Sequence, residues 1–80
     1  MDNIVDKYLI RSGDLYGGVE FYYEFPNNYS VLLIQHDGTK KYKLNHWTMI
    51  TYYNDRKISV REDLKAQELN SAVRKVLEMQ

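Results

Sequence analysis

The chain has no cysteine, a single proline, four glycines and no excess of charge of either sign. Each scarcity excludes something. Without cysteine there is no disulfide framework, no thiolate metal site and no sulfur nucleophile. Eleven Lys and Arg residues balance eleven Asp and Glu, a formal net charge of zero. That balance favours neither a strongly basic nucleic-acid binder nor an acidic DNA mimic. Gly13, Gly17 and Gly18 do not form the Gly-x-Gly-x-x-Gly fingerprint, so they read as a bend or bulge rather than a phosphate cradle. The longest apolar run, Val31-Leu32-Leu33-Ile34, is far too short for a bilayer core of about 30 Å. The segment Met1-Asp2-Asn3-Ile4-Val5-Asp6-Lys7 has no apolar stretch of the secretory kind, and the expected location is the cytoplasm. Asn28-Tyr29-Ser30 fits the glycosylation sequon, but in that setting Asn28 reads as a turn residue.

What the sequence does have is tyrosine: eight in 80 residues, beside one Trp and two Phe. With 44% hydrophobic residues the chain reads as one folded domain spanning 1–80, near the size at which a single core is only just sufficient. Residues 3–11 fit either a short helix, with Ile4, Val5, Tyr8 and Leu9 on one side, or a strand from Lys7 to Arg11. The glycines that follow read as a loop. Val19, Phe21, Tyr23 and Phe25 then alternate with Glu20, Tyr22 and Glu24, the period of a strand with one face drier than the other. Pro26-Asn27-Asn28 breaks the pattern. Tyr29 to His36 reads as a central strand, apolar on both faces through 31–34. Asp37-Gly38 is a hairpin turn signal, followed by alternation over 41–46. Trp47, Met49, Thr51 and Tyr53 oppose Thr48, Ile50 and Tyr52, and after Asn54-Asp55 a short strand carries Ile58 and Val60.

The period then changes. Leu69, Ala72, Val73, Val76 and Leu77, with Ala66 beside them, gather on one side of a helical wheel. Ser59-Val60-Arg61-Glu62 has the form of a capping box, but Val60 and Leu64 fall off the stripe, so a helix over 62–79 starting near Glu62 or Asp63 fits better. The expected fold is α+β: a four- to five-stranded antiparallel meander with a C-terminal helix packed on one face.

Catalytic chemistry has little to work with. His36 and His46 are the only imidazoles. Adjacent His36 and Asp37 would point to opposite faces of a strand, and no Ser-His-Asp arrangement is signalled. Neither histidine has carboxylates at a metal-ligand spacing. Glu20 and Glu24 fit a solvated strand face. The reading is therefore not an enzyme, with no cofactor and no metal. Two surfaces remain. Lys40-Lys41-Tyr42-Lys43 interleaves cations with an aromatic, and with Trp47 it would suit single-stranded nucleic acid; equally, Lys41 and Lys43 would blunt an exposed strand edge. Tyrosines join an apolar body to a polar tip, which suits a protein interface; equally, they have high strand propensity and pair across strands.

The run from Gly17 through Phe25, Asn27, Tyr29 and His36, followed by the aromatic stretch Trp47 to Tyr53, resembles small accessory proteins encoded by bacteriophages. Those show an aromatic strand, a Phe-x-Asn-x-Tyr turn and an apolar strand ending near histidine. The likeness covers residues 17–53 and departs from the pattern at Asn28, where glycine is usual. It carries over no catalytic residue. It implies a binder in the host cytoplasm that inhibits or redirects a host protein, host defence nucleases included. On that reading the contact residues are Tyr22, Trp47, Tyr52, Tyr53, Arg56 and Lys57. A homodimer is compatible with the neutral charge and with exposed strand edges. The alternative is a single-stranded nucleic-acid module using Lys41, Tyr42, Lys43 and Trp47.

Overall fold

The computed structural model describes residues 6–15, 18–35 and 46–79. Five strands run in chain order: β1 (Leu9–Leu15), β2 (Gly18–Glu24), β3 (Tyr29–Gln35), β4 (His46–Tyr53) and β5 (Arg56–Lys65). Each pairs antiparallel with its sequence neighbour, so the sheet is a five-stranded meander. Among the described residues, the helix α1 (Ala66–Leu77) follows β5 directly and lies against β3, β4 and β5. The α+β expectation holds, at the upper strand count.

The hairpin turns follow from residue chemistry. Phe25 and Tyr29 close the β2–β3 turn through a Phe25 N–H to Tyr29 carbonyl hydrogen bond of 3.0 Å, with Asn28 in the left-handed region at φ 71. Asparagine tolerates that conformation at the position where this turn ordinarily takes glycine. The β4–β5 turn places Asn54 and Asp55 at φ 49 and 65, the two-residue turn whose twist suits a hairpin. The two turns lie at the same end of the sheet, tied by the Asn54 N–H to the Asn28 carbonyl at 3.0 Å.

The core lies between sheet and helix. Tyr23, Phe25, Val31, Leu33, Trp47, Met49 and Leu64 from the strands meet Leu69, Ala72, Val73 and Val76 from α1, and Leu33, Val31 and Val73 are fully enclosed. The helix stripe is the one its periodicity predicts. Burying each of these Leu and Val side chains stabilises the fold by about 1.5–3 kcal/mol, which a helix this short needs in order to persist. Its last carbonyls are capped from across the molecule. The two N–H groups of the Asn27 side-chain amide are shared among the carbonyls of Val76 (2.9 Å), Leu77 (3.1 Å) and Met79 (2.8 Å), while its Oδ1 accepts from the Tyr29 N–H (3.1 Å). One turn residue thus shapes its own hairpin and fastens the helix.

Two expectations are corrected and an open alternative is decided. The helix does not start at 62; strand pairing runs on to Lys65, because Leu64 buries itself opposite Trp47. Asp63 at φ 59 makes a bulge that turns Leu64 inward, and Glu68 Oε1 accepts from the Lys65 N–H at 3.0 Å to begin the helix. Gly13 is not in a loop but inside β1, opposite Glu20. Of the helix-or-strand choice for residues 3–11, Leu9 to Arg11 are strand, with a bulge between Leu9 and Arg11. His36, the Asp37-Gly38 turn and Lys41, Tyr42 and Lys43 lie outside the described residues.

Candidate functional site

Among the described residues, α1 covers one face of the sheet and no element covers the other, and neighbouring residues of a strand go to different faces. On the open face the register sets Arg11, Tyr22, Leu32, Ile50 and Val60 in one row, one residue from each strand. The next row holds Glu24, Ser30, Tyr52 and Lys57. Arg11, Tyr22, Leu32, Tyr52 and Asp55 line a shallow depression of about 230 Å³. Tyr22, Leu32, Ile50 and Tyr52 are half-buried by their neighbours, whereas Val60 is 47% exposed.

Arg11 is held in place. Its guanidinium lies 4.9 Å from the centroid of the Tyr22 ring, and its Nε is 3.4 Å from Glu20 Oε1. An exposed pair of this kind adds about 0–1 kcal/mol to stability. Its larger effect is to fix a planar donor group beside an aromatic ring, with Asp55 and Lys57 further along the same face. The depression is thus floored by aromatic and aliphatic carbon and rimmed by both charge signs.

The structure divides the six expected contact residues. Tyr22 and Tyr52 come together on the open face, and Lys57 lies directly across from Tyr52. Trp47 does not join them: it is buried in the core, stacked on Phe21 with centroids 5.9 Å apart. Tyr53 leans instead on Tyr29, 4.6 Å between centroids, with Arg56 as its cross-strand neighbour. For the alternative set, burial of Trp47 removes its ring as a platform for an exposed base.

Arg11, Leu32 and Asp55 belong to the site without having been expected there. Arg11 is brought in by β1, whose sequence LIRSGDL has no apolar alternation to announce a strand. Leu32 belongs to an apolar run that suits a strand covered on both faces, but the structure leaves its face open and Leu32 half-buried.

His46 is half-buried with its Nδ1 3.7 Å from Asp63 Oδ1, too far for a normal hydrogen bond. Among the described residues, no group of three His, Asp or Glu side chains could hold a metal ion, and no helix is long and apolar enough to cross a membrane. On the covered side, burial raises the Tyr23 phenol above its ordinary pKa, with a further push from the Asp6 carboxylate. No family model, curated protein or solved structure matches this chain.

Proposed function

We propose that this chain is a non-catalytic binding protein whose open sheet face docks on another protein. The observation that carries the reading is the convergence of Tyr22 and Tyr52 in one depression with Arg11 fixed beside them. Tyr and Arg are the side chains that most often dominate protein interfaces, because they bury large areas and keep a polar handle. A prearranged arginine also loses less freedom on binding. The resemblance of residues 17–53 to small bacteriophage accessory proteins supports a partner in a bacterial host, whose activity would be inhibited or redirected by occupation of a surface.

The test is affinity capture from bacterial lysate with the wild-type chain, Tyr22→Ala, Tyr52→Ala and, as a control away from the face, Lys75→Ala. Loss of the captured protein in both tyrosine variants, with unchanged melting temperature and with Lys75→Ala retained, supports the face. Capture that survives both substitutions rejects it. Oligonucleotide titration at low salt provides the counter-test: tight binding that falls steeply with added salt would favour single-stranded nucleic acid instead.

A further inference from the structure

The meander ends on β5, whose far edge pairs with no strand among the described residues. β5 is the longest strand, ten residues, and it is exposed at every position except Leu64. At its middle Ile58 and Val60 are 51% and 47% exposed. A bare edge of this length offers its backbone N–H and C=O groups to another strand. Charge of one sign guards such an edge against a second copy, because like charges directly opposite repel. On β5 the signs are ordered instead: Arg56 and Lys57 precede the apolar middle, and Glu62 and Asp63 follow it. Among the described residues Arg56, Lys57 and Glu62 have no ion-pair partner. Read backwards, that order is its own complement.

Cross-strand pairing also requires opposed side chains to share a face. In a regular strand positions 57 and 62, five apart, lie on opposite faces. Here Ser59 pairs with Thr51 and Lys57 with Tyr52, which leaves Ile58 as the extra residue of a bulge. Lys57 and Val60 therefore both lie on the open-face side, opposite Tyr52 and Ile50. Arg61 lies opposite the core residue Met49, so Glu62 returns to the open side. The bulge thus sets Lys57 and Glu62 on one face, on either side of Val60.

We propose that β5 is the interface of a two-fold homodimer, in which the edges of two copies pair antiparallel about Ser59 and Val60. Lys57 of each copy then meets Glu62 of the other, twice over by symmetry, with Arg56 and Asp63 flanking them. A parallel arrangement aligns like charges and is disfavoured. The other edge, β1, suits a second copy less: it has seven residues, contains a glycine, and its Arg11 is already held by Glu20 and Tyr22. Pairing at β5 extends the sheet sideways, so it stands whether or not the Tyr22–Tyr52 face docks on another protein.

Sedimentation velocity of the full chain over a range of concentrations should show a reversible monomer–dimer equilibrium that added salt weakens. Lys57→Glu and Glu62→Lys each turn both attractive contacts into repulsive ones. Each should raise the dimer dissociation constant about tenfold or more. Mixed in equal amounts, the two variants should dimerise again, because each presents the charge the other lacks. In a mixture of ¹³C-labelled and unlabelled wild type, isotope-filtered NMR should give contacts between copies at the Hα atoms of Ile58 to Arg61. A wild type that stays monomeric at every concentration overturns the proposal. So do dimers indifferent to both reversals, folded variants that do not recover on mixing, or inter-copy contacts confined to other elements.

Discussion

Leu32 and Leu33 are the same residue, one position apart on the same central strand. Leu33 is fully enclosed beneath the helix, whereas Leu32 is half-buried in the open face between Tyr22 and Ile50. Tyr22 and Tyr23 repeat the comparison on the next strand: Tyr23 is a core residue, while Tyr22 lies under an arginine. Residue type alone therefore says little about role here. Strand parity, together with the face the helix chooses, assigns one member of each pair to the core and the other to the open face.

The sharpest way to break the comparison is to truncate both members. Leu33→Ala should cost about 2–5 kcal/mol of unfolding free energy, since a cavity opens in a site with no room to collapse. Leu32→Ala should cost less than about 1.5 kcal/mol while weakening capture of the partner. Urea denaturation of the two variants side by side measures this, and equal losses would mean that the two faces are equally structural. Next in size is Asn27→Ala, which strips the helix end of its donors without touching the apolar core. A loss of about 1–2 kcal/mol is expected, or roughly 4–8 °C in melting temperature for each kcal/mol. A third contrast sets Arg11→Ala against Arg11→Lys. Both should leave stability within about 0.5 kcal/mol, but neither reproduces the planar group over Tyr22, so both should weaken capture.

The smallest effect is one of pH on the covered face. Tyr23 holds its phenolic proton more tightly folded than unfolded, through burial first and the Asp6 charge second. A raised folded pKa gives stability that is complete below the unfolded value, about 10 for tyrosine, and is lost as pH rises beyond it. Tyr23→Phe should therefore flatten the alkaline limb of the stability profile, measured by thermal melts above pH 9.5 against the wild type.

Much of this arrangement can be read from period alone. The alternation over 19–25 and 47–53 and the helical stripe from Leu69 to Val76 all stand in the structure. Trp47 and Tyr52 are five positions apart, so a regular strand already places them on opposite faces. Grouping them as one contact set follows aromatic content and neglects that parity. Other features had no local signal. β1 is polar and contains a glycine, and it exists as a strand because β2 offers it hydrogen bonds. The bulge at Asp63 uses a left-handed backbone at a residue other than glycine, which no pattern of apolar residues marks. Without that bulge the periodicity invites an earlier helix start, and the error of four residues follows.

The sheet is assembled wholly from pairings between consecutive strands, contacts a chain can make early and fast. The Asn27 amide is different, since its acceptors lie 49 to 52 positions away. A bond of that reach forms only once the meander is in place and the helix has swung back across it. Its contribution therefore falls on the late side of the folding barrier, and weakening it shortens the lifetime of the native state more than it delays its formation. In stopped-flow terms, Asn27→Ala should raise the unfolding limb and leave the refolding limb nearly where it was. A single turn asparagine acts as a clasp on how long the folded molecule lasts.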